Sequence, residues 1–555
     1  MKRLCFYVIW AFSTMLVGCS DFLDTENLTN KDSGNFPKTE EDIQQALTAA
    51  YAANVSDKSS RWQIFELIAE VMADYSMSGG GLDDRHVRAM AEYKMNAVNM
   101  YSGIWKRYYR GIYRTNFILE NLNRVNWENE ASRNSISGQA YFLRAQFHFD
   151  LVRLFENIPL VTSTVPENKP QAAPKETFVQ ILSDLKQAIV LLPGQKIQDM
   201  SKKDLGRVTR WAAQAMMARA YLFYSGVYGE ESVVLADGST LTRQDVMKYV
   251  DECIAQSGHD LIPDFRNLWP YAYSKEYAYT ADNGLEWIGE DGKNIETVYA
   301  YKFSTMGSAQ NISYCNNIDL FYGLRGQETL PFAKGWGWAP AVPRFFMEWP
   351  DDDLRKRATI WDVNDQTTEK VKYAWNKNRC YNETGYFNKK YIPVNVRNEQ
   401  GKLVNYSCVL YGVTPHFQYN NTQDMVIIRF SDVLLMGAEL GSAKAQEYMD
   451  RVRGRVGLAS VPATLENIKR ERLYELAYEG VRYYDLMRWG DLEQSVNTMQ
   501  KDVPVKNIGE SQIVTKVFRS ETRGFLSIPE DEIALSNGVL KQNQGWGTED
   551  ALFLD

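Results

Sequence analysis

Residues 139–155, QAYFLRAQFHFDLVRLF, constrain the fold more than any other stretch of this chain. Ala140, Leu143, Phe147, Leu151, Leu154 and Phe155 recur at steps of three or four, the spacing that lines apolar side chains along one helical face. A face that wide must be covered by further helices. RWAAQAMMARAYLFYSG (210–226) supplies one kind of partner, stacking Ala212, Ala213, Ala215, Ala218 and Ala220 on a helix expected to end at Gly226. Small side chains let helices approach closely, as they do in helical-hairpin repeats. The same reasoning predicts helices at 40–55, 61–75, 99–125, 176–192, 242–257, 427–457 and 464–500. The expected architecture is mainly α, built from degenerate helix pairs with no strict period.

Between about 258 and 426 the character changes. Turn signals such as ADNG, EDGK and NEQGK multiply, and 19 of the 85 residues from Phe265 to Trp349 are aromatic, against 13% for the chain. This segment is expected to be an insertion of loops and short strands.

At the N-terminus Lys2 and Arg3 precede an apolar run from Leu4 to Val17, the pattern of a signal peptide. The run is shorter than the roughly twenty residues a helix needs to cross a bilayer. Leu16 to Cys19 resemble a bacterial lipobox, which would acylate Cys19; an ordinary secretory signal is the alternative. The expected organisation is a signal at 1–18, an acylated tether at 19–35, a helical region at 36–257, the aromatic insertion at 258–426 and a helical region at 427–555. The net charge of -8 and the lack of a basic block argue against nucleic acid as a partner. Cys253, Cys315, Cys380 and Cys408 match no metal-ligand spacing, and their pairing is left open.

Several segments are together similar to the successive signatures of the SusD/RagB family: GQAYFLRAQFHFDLVRLFENIPL (138–160), GRVTRWAAQAMMARAYLF (206–223), IIRFSDVLLMGAEL (427–440), RVRGRVGL (451–458), IKRERLYELAYEGVRYYDLMRWG (468–490) and FLSIPEDEIALSNGVLKQNQGW (525–546). One departure is Gln544, where the family commonly has proline. The resemblance implies a tetratricopeptide-like body carrying an irregular, loop-rich ligand-binding region with short strands. It also implies an outer-membrane, lipid-anchored, surface-exposed protein that captures oligosaccharide or polysaccharide for a SusC-like TonB-dependent transporter. Members that handle peptides leave a peptide ligand open.

The residues themselves divide into structural and candidate binding sets. Arg472, Glu475, Glu479, Arg482, Asp485 and Arg488 follow at three- and four-residue steps and read as an ion-pair network, as do Arg429 and Glu439. Asp351, Asp352 and Asp353 read as a solvated helix start. Sugar rings need flat aromatic platforms beside polar groups. Trp269, Tyr273, Trp287, Trp336 and Trp338 in the insertion are therefore the candidate platforms, with the glycines of GWGWAP expected to hold two indoles outward. A second patch, ADYSMSGGGLDDRHV (73–87), offers Asp74, Tyr75, Asp84 and Arg85. His86, His148, His259 and His416 form no H-E-x-x-H motif, and no nucleophile elbow, phosphate loop or dinucleotide fingerprint is present. No catalytic residue or cofactor is expected and no metal site is read from the residues; the lack of an EF-hand loop leaves a bound calcium open. A surface glycoside hydrolase, which needs two carboxylates flanking a sugar, and a scaffold that binds only protein are the rival readings.

Overall fold

The computed structural model describes residues 36–292, 294–547 and 550. Cys19 and the lipobox-like stretch lie outside them. The helical body opens with α1 (Glu40–Tyr51), α2 (Phe65–Met72), α3 (Arg85–Ala91), α4 (Ser102–Asn121), α5 (Glu130–Phe155), α6 (Pro174–Leu191), α7 (Arg210–Tyr228) and α8 (Arg243–Gln256). Local chemistry sets their starts: Thr39, Thr209 and Thr242 each accept a backbone N–H at the N-cap of α1, α7 and α8. From α4 to α8 each helix packs on the next, which is the tetratricopeptide-like succession of a mainly helical protein.

Helix α5 lies at the centre. From Ile136 to Phe155 nearly every side chain is buried, well beyond the single face its spacing predicts. The polar residues caught inside are paired: Arg144 makes a bidentate contact with Asp184 at 2.7 and 2.8 Å, and His148 Nδ1 lies 2.9 Å from the Arg144 carbonyl. Burial pushes His148 down to about 3, so it is neutral at ordinary pH. Gly226 does not end α7, which runs on to a left-handed stop at Gly229. A Cβ at Gly226 would come within 2.3 Å of the Arg488 carbonyl, so the glycine admits a neighbouring helix.

After α8 the chain leaves the body for short helices and strands that pair only in twos. Strand β1 (Thr297–Tyr301) and helix α9 (Asn317–Tyr322) belong to this excursion. It returns on β2 (Met425–Arg429), antiparallel to β1 through a bulged register. The body then resumes with α10 (Phe430–Leu440), α11 (Ala445–Arg455), α12 (Leu465–Leu476), α13 (Arg482–Trp489) and α14 (Leu492–Met499), followed by the hairpin β3 (Val503–Asn507) and β4 (Glu510–Val514). Helix α10 packs on α8, and α13 reaches back to α2 and α7, which folds the C-terminal part against the N-terminal one.

A buried charge cluster joins the excursion to this body. Glu475 contacts Arg355, Arg429 and Arg455; Glu479 contacts Arg429 and Lys390; Glu296 contacts Arg429 and Arg455. Burial pushes the Glu475 carboxyl up, but the three guanidinium groups outweigh it and hold it well below the carboxylate range. The structure corrects the reading of Asp353 as a solvated helix start: it is 2% exposed and binds Arg355 and the Trp349 indole. Cys253, Cys315, Cys380 and Cys408 are free.

Candidate functional site

The fold brings the two candidate patches together. Residues 75–80 run beside 337–342 as a backbone-paired ribbon, with Met77 N–H donating to Pro340 O at 2.9 Å, Gly80 N–H to Gly337 O at 2.9 Å and Ala339 N–H to Ser78 O at 3.0 Å. Gly79 is needed here. Its φ is +65°, and a Cβ would stand 2.1 Å from the Gly337 carbonyl. The glycines thus serve close approach of two strands of chain, where the sequence suggested outward display of indoles.

The two indoles of GWGWAP have different fates. Trp338 is 1% exposed, lying under the ribbon against Phe321 at 4.4 Å and the His86 ring at 5.1 Å. Trp336 stays partly exposed, edge-on to Phe321 at 4.9 Å. Around it lies an arc of rings that the sequence did not single out. Trp62 stacks on His86 at 4.6 Å, and the Arg61 guanidinium sits 5.6 Å from the ring centres of both Trp336 and Tyr419. Tyr419 in turn stacks on His416 at 4.3 Å, and Lys334 Nζ lies 4.6 Å from the centre of Phe417. Arg61 is held in place: its Nε donates to Asn317 Oδ1 at 2.7 Å and its Nη2 to Gln418 O at 2.7 Å. Burial pushes His86 down to about 4, so that ring joins the arc uncharged.

Trp62 and Arg61 escaped the sequence reading because they fall at the start of the stretch predicted as a helix at 61–75. The dense run His416-Phe417-Gln418-Tyr419 carried a usable signal but lies outside the aromatic-rich window.

The other expected site residues are dispersed. Tyr273 and Trp287 remain partly exposed and form a separate group with buried Tyr406, at 6.1 and 5.1 Å from it. Trp269 is a correction: at 2% exposure it is a core residue, with Tyr391 at its edge and Lys390 Nζ 5.0 Å from its ring. Asp74 and Tyr75 are corrections too, both fully buried. Asp74 binds Arg482 and Ser495; burial opposes its ionisation, but Arg482 holds the carboxyl below its usual range. The Tyr75 hydroxyl donates to Glu70 and accepts the Tyr478 N–H. Asp84 is used up by Gly81 N–H at 2.7 Å and Arg325 at 3.0 Å. Arg85 is exposed at the first turn of α3, one residue before His86.

No group of three or more metal-ligating side chains occurs among the described residues, and none of their helices is long and apolar enough to cross a membrane.

Comparison with known proteins gives these geometries a context. A family model described as "Starch-binding associating with outer membrane" matches residues 21–222, and one described as "SusD family" matches residues 274–546. The chain is 26% identical to SusD-like protein P2 of Formosa agariphila over 501 residues, covering 85% of this chain and 88% of that one. Among solved structures, a laminarin-binding SusD-like protein superposes with a TM-score of 0.69 at 24% identity, covering 92% of this chain and 100% of the other. Surface glycan-binding protein A of Bacteroides thetaiotaomicron, in complex with laminarihexaose, gives a TM-score of 0.69 at 22% identity over 91% and 100%.

Proposed function

This chain belongs to the SusD family, and from that premise we propose that it is a non-catalytic, lipid-anchored protein of the outer-membrane surface that captures glycan on the ring arc and passes it to a SusC-like TonB-dependent transporter. The observation that carries this reading is the arc itself: Trp62, Trp336 and Tyr419 are partly exposed, with a fixed guanidinium between the last two. Flat rings with few rotors stack on sugar C–H faces at low entropic cost, and Arg61 and Gln418 supply polar groups for hydroxyls. An open surface of this kind suits an extended chain that must later be released. Arg85, Tyr273 and Trp287 are secondary contacts in this proposal. The names of the structural relatives make laminarin the first ligand to test.

Full-length protein in detergent is titrated with laminarin, laminarihexaose, a panel of other glycans and mixed peptides, following tryptophan fluorescence and heat. Saturable binding to one glycan class is expected. Trp336→Ala and Trp62→Ala should each weaken it about tenfold, or about 1.4 kcal/mol of stacking, with little change in melting temperature. The bound glycan should keep its chain length on prolonged incubation. Binding that both variants leave intact would remove the arc from the proposal, binding of peptides alone would replace the ligand class, and shortened products would make the protein an enzyme.

A further inference from the structure

The ribbon that covers Trp338 also walls a cavity. It is a half-open pocket of about 220 Å³, lined by Ser78, Ala91, Asn382, Gln500, Lys516 and the Glu92–Lys94 ion pair among others. Three side chains in this wall are at least nine-tenths buried and carry polar atoms with no partner among the described residues: Lys516 Nζ, Gln500 Oε1 and Asn382 Oδ1. The Gln500 orientation follows from its other end, because Nε2 donates to the Ala73 and Ser76 carbonyls, which only accept; Asn382 Nδ2 lies on Ser78 Oγ, leaving Oδ1 unused as placed.

Buried polar groups are nearly always bonded, and three unbonded ones around one space outline the complement of a ligand. That ligand must present an acceptor to an ammonium and donors to two amide oxygens. A cavity of about 150 Å³ holds a benzene ring, so this one accommodates a single six-membered ring with polar substituents. We propose that the cavity binds a monosaccharide-sized hydroxy acid, its carboxylate on Lys516 Nζ and its hydroxyls donating to Gln500 Oε1 and Asn382 Oδ1. This site is separate from the ring arc and does not depend on what the arc binds.

The charges facing Lys516 support an anionic ligand. Asp74 is taken by Arg482, and Glu92 is paired with Lys94 at 2.8 Å; the Tyr93 ring centre lies 4.7 Å from the ammonium. Burial pulls Lys516 down to about 7, with Asp74 and Glu92 acting against that shift. A bound carboxylate supplies the missing counter-ion and requires the protonated amine. Affinity is therefore full below pH 7 and falls as pH rises through it, by about tenfold between pH 6 and pH 8.

The test is calorimetry on the full-length protein in detergent, with glucuronate as the probe and glucose as its neutral counterpart, at pH 6, 7 and 8. Glucuronate should bind saturably and weaken about tenfold from pH 6 to pH 8 while glucose does not bind. Lys516→Met should abolish binding, and so should Ala91→Leu, which fills the cavity and leaves the lysine in place; Trp336→Ala should have no effect. Each variant is checked for folding by its melting transition, and Ala91→Leu decides if Lys516→Met does not fold. Absence of glucuronate binding to the folded protein, equal binding of glucose, or binding that survives a folded variant would overturn the proposal.

Discussion

Gly79 shows how a single residue decides which tryptophan meets solvent. Its left-handed backbone and its contact with Gly337 let the 75–80 segment pair with 337–342, which seats the Trp338 ring against Phe321 and His86 while Trp336 remains partly exposed. Gly79→Ala should cost about 1–3 kcal/mol through strain at positive φ and the lost close approach, read as a lower melting temperature. Trp338→Ala should cost more, about 3–5 kcal/mol, by opening a cavity, whereas Trp336→Ala should mainly affect ligand. The sequence marked the indoles and glycines as belonging together. It could not rank the two indoles, because the cover over Trp338 comes from a segment far away in the chain. The same limit applies to Asp74 and Tyr75: a glycine-rich, charged stretch reads as an exposed loop, but α13 and Tyr478 cover these two side chains.

Elements with a long apolar period were legible, and those set by tertiary contacts were not. The spacing starts a helix at Ile427, yet Met425–Arg429 is a strand buried on both faces against β1; the four apolar residues from Met425 to Ile428 have no period to separate the two. The expected helix at 464–500 is three helices, interrupted where Tyr478 and Gly480 take positive φ and where Gly490 caps α13. Some ion pairs expected along it form, with Asp485 taking both Arg472 and Arg488, and the same arginines also reach other elements: Arg472 to Asp432, Arg482 to Asp74, Arg488 to Glu439. Gly226 gives this scale its own prediction. Helix propensity alone favours Gly226→Ala by about 1 kcal/mol. Packing against the Arg488 carbonyl predicts the opposite sign, a loss of about 1–3 kcal/mol, and denaturant unfolding distinguishes the two.

For the whole molecule, buried charge ties the helical body together and sets its response to acid. Burial pushes Asp432 up, but Arg472 and Arg219 overcome it and hold the carboxyl at about 2; Arg488 does the same for Glu439, also at about 2. Both lie below their unfolded values of about 4, so the stability they add is present above pH 4 and lost as pH falls toward 2, on the order of 2 kcal/mol each. Asp432→Asn should therefore be less stable at pH 7 but lose less on acidification from pH 5 to pH 2, as followed by melting temperature. The ring arc adds a consequence at this scale. Arg61 and Gln418, which fix one another, are 357 positions apart, so no fragment shorter than that span holds the whole arc. Occupancy of that surface is then a report on global folding: a ligand that binds only the folded chain raises the unfolding free energy of the whole by RT ln(1 + [L]/Kd), and a nascent chain not yet extended to Gln418 lacks part of the surface that binds it.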